Sequence, residues 1–231
     1  GYTVLKAYRA EYDLGAGPTS RWLTFPTRDV DVVRSPIVND LYKRYYWAGD
    51  GKPKYTTAAR LDSSAAPLLL GIPTPVSAPV VTPPVGTALT RAYVYTFASS
   101  MGEEGPPSPP TIATGIAGTW AISGMDATVP LAAQRDIASI KIYRTVAGQA
   151  STSFFYVGSV PLGTTTFDDN IADDFVSLNN LLESTTYLEP PQDLEGFVAM
   201  PNGYLVGFVG RRLIFSEPYR PHAWPAEYEL A

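Results

Sequence analysis

The sequence predicts an all-β protein: a sandwich or barrel of short strands followed by a tight antiparallel meander. Three observations carry that expectation. From Thr90 to Pro110, large aromatics (Tyr93, Tyr95, Phe97) alternate with small or β-branched residues (Ala92, Val94, Thr96, Ala98), the two-residue period of a half-buried strand with one aromatic face. Similar short runs recur along the chain between turns, and the 22 prolines and 19 glycines exceed average usage while charged residues make up only 17%. Beyond Pro190-Pro191 the runs shorten and lie closer together, as in a chain of hairpins.

Residues 1–72 read as irregular β structure that packs with the C-terminal meander. Val30, Val32 and Val33 suggest a strand ended by Ser35-Pro36. Tyr45-Tyr46-Trp47, then Asp50-Gly51, then Lys52 to Tyr55 reads as a hairpin, with the Asp-Gly pair in the tight turn. Pro53 would confine its strand to an edge. The segment NDLYKRYYW also fits a helix capped by Asn39 or Asp40, but its aromatic density favours a strand.

Residues 73–189 read as a β-sandwich. Prolines 73, 75, 79, 83 and 84 mark a linker or a proline-broken edge strand at its start. The aromatic strand follows, with a polar turn bracketed by Gly102 and Gly105. Pro106, Pro107, Pro109 and Pro110 cannot donate ladder hydrogen bonds, so the chain is expected to leave the sheet extended. Thr119 to Ser123, Ser139 to Arg144, Phe154 to Val160 and Thr164 to Phe167 supply further strands, with a helical turn opened by Pro130. Ile140 and Ile142 share one face, and Lys141, Tyr143 and Thr145 the other. Leu178, Leu181 and Leu182 give Val176 to Glu183 the spacing of a short helix at most.

Residues 190–231 form the meander: Phe197 to Met200, Tyr204 to Val209, and Arg212 to Ser216. Asn202-Gly203 signals a type I′ turn, which needs positive φ at both central residues. Three such strands resemble most of one β-propeller blade. A lone blade has two unpaired edges and must pair with something else. The closing segment, Glu217 to Pro225, reads as extended and proline-punctuated, with Tyr219 and Trp224 as anchors.

Composition narrows the function. A chain of 231 residues buries roughly 70% of its unfolded surface and needs no staple. With no cysteine there is no disulfide, thiolate metal site or thiol nucleophile. The net charge of −5 argues against general phosphate binding, which rests on Lys and Arg releasing counterions. The most apolar run, Ala65 to Ile72, is short and contains Pro67, so it cannot span a membrane. No signal peptide is visible, and the missing initiator Met suggests a processed product or a piece of a longer chain.

No motif points to catalysis or a cofactor. His222 is the only histidine. It stands between Pro221 and Ala223-Trp224-Pro225 with no nucleophile elbow nearby, and a histidine metal site fails on ligand count. Asp168, Asp169, Asp173 and Asp174 gather around Asn170 and could offer calcium several oxygens, but they lack the EF-hand spacing and read as turn formers. Glu103 and Glu104 are a carboxylate pair without a cleft signature. Pro218-x-x-Pro221 is a common match to a polyproline ligand, Arg211 and Arg212 flank a turn, and no Walker loop, GxGxxG or CxxC is present.

Several segments, in order, carry a resemblance: TRAYVYTFASSMGEEGPPSPP, SIKIYRTVAG, FFYVGSV with TTTFDD, and FSEPYRPHAWP. Together they resemble tail-tube and nozzle-type virion proteins of short-tailed bacteriophages, relatives of the tail tubular protein B group, over residues 42–228. The resemblance implies an immunoglobulin or fibronectin type III-like sandwich beside a propeller-like tip. It further implies a non-enzymatic protein that forms a homo-oligomeric ring, contacts other tail, adaptor or portal proteins, and lets phage DNA pass without specific binding. It would be made in the host cytoplasm and end in the virion. The aromatic strand resembles the penultimate strand of a fibronectin module yet precedes the IKIYR segment, so strand order is expected to be rearranged. Nozzle proteins also carry several blades where this chain shows one. Interface candidates are Tyr204, Phe215, Tyr219, Arg220, His222 and Trp224. A fibronectin-like adhesion module binding host glycan or receptor is the alternative, and a polysaccharide-degrading enzyme a further rival.

Overall fold

The computed structural model describes residues 3–146 and 153–231. Ala147 and Gly148, the end of the SIKIYRTVAG motif, lie outside the described residues. In chain order the elements are β1 (Lys6–Asp13), β2 (Pro18–Phe25), β3 (Asp31–Arg34), β4 (Tyr45–Ala48), β5 (Lys54–Thr56), α1 (Ala58–Asp62), β6 (Leu68–Leu69), β7 (Val80–Thr82), β8 (Leu89–Ser99) and β9 (Thr111–Gly115). There follow β10 (Trp120–Ser123), β11 (Ile137–Arg144), β12 (Phe155–Pro161), β13 (Phe167–Asp169), α2 (Asp173–Val176), β14 (Glu195–Met200), β15 (Tyr204–Val209), β16 (Arg212–Phe215) and β17 (Glu229–Leu230). The protein is mostly β, with several small antiparallel sheets and few short helices, and no closed barrel or propeller forms among the described residues. Two compact units result: Gly1–Gly71 with Ala133–Arg135 and Leu188–Ala231, and Ile72–Ala132 with Asp136–Tyr187.

The first unit holds a two-stranded hairpin, β1-β2, and two four-stranded sheets, β3-β4-β5-β6 and β14-β15-β16-β17. β4 reads Tyr-Tyr-Trp-Ala and is buried at every position, because β3 and β5 flank it and other chain covers both faces. β14 packs against β3 and β4. Pro53 does not make an edge: β5 is paired on both sides, and the proline stands just before it, offering its carbonyl to the Leu70 N–H. Asn39 and Asp40 open no helix. The chain there makes tight turns, with Asn39 at φ 57° and Lys43 at φ 48°, and Asp40 accepts the backbone N–H groups of Tyr42 and Arg44.

The meander gains a fourth strand, β17, beyond the three that its sequence suggests. Its first turn is not type I′. Gly203 alone has positive φ (82°), Asn202 does not, and the Gly203 N–H returns to the Met200 carbonyl across a three-residue loop. Nor is the segment after β16 extended. Glu217 to Arg220 folds into a bridge with Tyr219 at φ 60°, closed by the Arg220 N–H on the Glu217 carbonyl.

The second unit holds two sheets, β13-β10-β7 and β12-β11-β8-β9, which share one core. Tyr93, Tyr95 and Phe97 from β8, Trp120 and Ile122 from β10, and Ile140 and Ile142 from β11 are all buried in it. The aromatic strand is therefore not half-buried. From Tyr93 to Ser99 both faces are covered, because the following loop folds back over the second one. Nor does that proline segment leave the sheet. Gly105 and Ser108, the residues there that still have an N–H to give, donate to the carbonyls of Phe97 and Tyr95, and Thr111 then pairs with Tyr93 in β9. Two boundaries also shift. β13 begins at Phe167 rather than Thr164, and the short helix α2 ends where one was expected to begin, leaving Leu178 82% exposed.

Candidate functional site

The surface most suited to a partner lies on the first unit, on the outward face of the β14–β17 meander. Strand alternation sends Phe197, Leu205 and Ile214 inward, where Trp224 stacks on Phe197 at 5.7 Å and an interplanar angle of 3°. The intervening residues must then face out. Register places Val198 beside Val206 and Val206 beside Phe215, and aligns Phe208, Leu213 and Leu230 in a second row. Four of these remain open to solvent: Val198 is 53% exposed, Phe208 39%, Leu213 46% and Leu230 61%. Next to them is a shallow slot of about 300 Å3 walled by Tyr204, Phe215, Pro218, Tyr228 and Leu230, with Glu227 and Glu229 at its rim.

The sequence-derived candidates divide between surface and core. Tyr219 is 66% exposed, its N–H held by the Gly203 carbonyl at 2.7 Å. Its ring lies over Gly203, where any Cβ would come within 2.7 Å of it. Tyr204 and Phe215 are half-buried, their rings 6.2 Å apart on the outward face, and Arg220 is half-buried in its turn. His222 and Trp224 are buried within the chain, and the Trp224 indole N–H donates to the Pro221 carbonyl at 3.0 Å. They support the surface from beneath. Sequence reasoning missed Val198, Val206, Phe208, Leu213 and Leu230. The signal was present in the alternation, since Phe197 and Leu205 being inward leaves Val198 and Val206 outward.

Several charged side chains elsewhere are engaged within the chain. A groove of about 530 Å3 in the first unit is lined by Glu11, Asp13, Arg34, Asp40, Lys43 and Arg44 among others. Arg44 grips Asp40 in a buried two-pronged pair, Nε to Oδ2 at 2.9 Å and a second nitrogen to Oδ1 at 3.1 Å. Burial alone would push the Asp40 carboxyl up, but these bonds and the Arg44 and Tyr42 N–H groups together hold it below its ordinary value. Lys43 donates to the Asp13 carbonyl and Arg34 to the Tyr45 hydroxyl.

In the second unit, the acidic loop considered for calcium serves two arginines. Arg144 Nε lies 2.7 Å from Asp169 Oδ2, and another Arg144 nitrogen is 2.7 Å from Asp173 Oδ1. Arg91 also reaches Asp173 while its guanidinium sits 4.7 Å over the Trp120 ring. The Tyr93 hydroxyl donates to Asp169, and burial, with that carboxylate second, raises the Tyr93 pKa. Glu104 is likewise a structural acceptor, taking bonds from Thr96, Tyr143 and Lys141 at 2.6 to 2.8 Å. Among the described residues no group of three or more His, Asp or Glu side chains is arranged to hold a metal ion. Among the described residues no helix is long and apolar enough to cross a membrane.

No family model matches the chain, and no curated protein matches it at a significant level.

Proposed function

We propose that this chain is a virion structural protein of a short-tailed bacteriophage tail, a nozzle, tail-tube or adjoining ring subunit that assembles around the DNA channel without catalysing a reaction. In that reading the second unit is a fibronectin type III-like sandwich with reordered strands. β8 takes the penultimate-strand place between β11 and β9, although it precedes β11 in the chain. The four antiparallel strands β14–β17 then correspond to one propeller-type blade.

One observation carries the reading. The outward face of the meander sets Val198, Phe208, Leu213 and Leu230 in solvent as neighbours on one sheet, the kind of contiguous apolar surface that subunit contacts cover. Further copies of this chain, other tail proteins and an adaptor or portal protein are the partners that fit this role. The net charge of −5 suits a conduit whose duplex cargo must not adhere.

The test is the mass and shape of the purified chain by mass photometry and negative-stain electron microscopy. Closed rings of several copies are the expected result. Leu213→Glu, which puts a carboxylate in the middle of the face, should raise the dissociation constant at least about tenfold without unfolding the chain. A fibronectin-like adhesion module is the second reading, favoured by the three aromatic walls and two carboxylates of the Tyr204–Phe215–Tyr228 slot. A chain that stays monomeric and binds host glycan would replace the first reading with the second.

A further inference from the structure

Three layers of sheet stack in the first unit. The inward face of the β1–β2 hairpin (Ala10, Tyr12, Leu23, Phe25) packs on Val32, Tyr45 and Trp47 of the β3–β6 sheet. Side chains alternate along β4, so the buried Tyr46 belongs to the opposite face of that sheet. β14 lies against β3 and β4 and joins neither hairpin cluster, which makes the meander the third layer. The stack therefore ends in two unlike outer surfaces. One is the open apolar face of the meander with its slot. The other is the outward face of the hairpin, where register sets Ala7 beside Thr24, Arg9 beside Trp22 and Glu11 beside Ser20. The polar groups there satisfy one another: Arg9 donates to the Ser20 hydroxyl at 3.2 Å and lies 3.6 Å from the Glu11 carboxylate. Trp22 is left over, 65% exposed, whereas Trp47, Trp120 and Trp224 are buried.

Tryptophan is enriched among the residues that dominate protein contacts, and it calls for a pocket that takes both its ring and its N–H. The slot on the meander supplies both. Tyr204, Phe215 and Tyr228 wall it, and Glu227, exposed and in no ion pair among the described residues, offers a carboxylate acceptor at its rim. Net charge favours the same pairing. Residues 1–71, which include the hairpin and the β3–β6 sheet, hold ten Lys and Arg against seven Asp and Glu. Residues 188–231, which include the meander, hold three against six. One end of the stack is thus basic and the other acidic, an arrangement that steers unlike ends together. We propose that the outward face of the hairpin in one copy covers the meander face of a second copy, with Trp22 seated in the Tyr204–Phe215–Tyr228 slot. The two surfaces differ, so the contact is head-to-tail, the kind that closes a ring when the rotation between copies allows it. This inference rests on the ring assembly proposed above and names the contact that makes it.

Trp22 also reports the contact, being the one exposed tryptophan of four. In the full-length chain its emission should be open to acrylamide when dilute and shielded at concentrations where mass photometry shows rings. Full-length Trp22→Ser and Leu213→Glu chains each lose one end of the contact. Each alone should assemble at least about tenfold more weakly than the parent, with the melting temperature within a few degrees, because both side chains stand in solvent. An equimolar mixture should instead form dimers of one chain with the other. These join the intact hairpin of the Leu213→Glu chain to the intact meander of the Trp22→Ser chain. Dimers of the Leu213→Glu chain by itself would mean that two hairpin faces meet each other, and would overturn the assignment. Rings of the unaltered chain in which Trp22 stays as quenchable as in the monomer would overturn it too, leaving the ring reading intact. A chain that remains monomeric at every concentration would bring down both.

Discussion

At the scale of single residues, Arg144 carries the largest electrostatic consequence. Its guanidinium and Asp169 are both fully buried, and it also holds Asp173 and the Ile171 carbonyl. Removing one partner strands a charge in the core, which costs about 3–5 kcal/mol, whereas replacing both by apolar groups of similar volume is often neutral or better. Arg144→Met should therefore lower the urea-unfolding free energy by about that amount, and Arg144→Met with Asp169→Leu should recover much of the loss. If the double variant were as unstable as the sum of the singles, the pair would not be acting as a unit. The same geometry bears on calcium: Asp169 and Asp173 already face guanidinium groups, so a chelator should leave the melting temperature unchanged.

At the scale of elements, the most informative is β8 with the loop that follows. Tyr95 lies in the shared core, its hydroxyl accepting the Asp126 N–H at 2.9 Å. Tyr95→Ala should destabilise by about 3–5 kcal/mol, and an unchanged denaturation midpoint would mean that the aromatic face does not bear the core. The alternation of Tyr93, Tyr95 and Phe97 made this strand legible, because a period of two is written in adjacent letters. Burial of the opposite face was not. It depends on Glu104 returning to Thr96, Lys141 and Tyr143, contacts spanning 8 to 39 positions that no local pattern encodes. The buried arginines escaped for the same reason. IKIYR announces a strand, but only the arrival of the acidic loop decides that Arg144 turns inward. In the meander the hairpins were legible from Pro201-Asn202-Gly203 and Gly210-Arg211. The fourth strand was not, since Glu229-Leu230 is too short to show a period and is defined by pairing with Leu213 and Ile214.

At the scale of the whole molecule, buried titratable groups set a window of pH over which both units hold. On the acid side, Asp40 and Asp126 are kept below the ordinary carboxyl value by hydrogen bonds that outweigh their burial: from Arg44 and Tyr42 for Asp40, and from Val76 and Ser77 for Asp126. A depressed pKa means that the unfolded chain binds the proton first. The stability these groups add is complete above about pH 5, and is lost as pH falls through their native values. On the alkaline side the sign reverses. Burial pushes the Tyr95 phenol up to about 12 and raises Tyr93 and Tyr143 as well, the latter two further opposed by Asp169 and Glu104. Here the folded chain keeps a proton that the unfolded chain gives up near pH 10, so stability is full below about pH 9 and declines as pH climbs toward 12. A shift of this size for Tyr95 alone corresponds to about 3 kcal/mol. Unfolding midpoints in urea should therefore stay level from about pH 5 to 9 and drop on either side, more steeply above 10. Tyr95→Phe removes the phenol and keeps the ring, so it should flatten the alkaline limb relative to the parent chain. An alkaline limb unchanged by Tyr95→Phe would show that another group governs it.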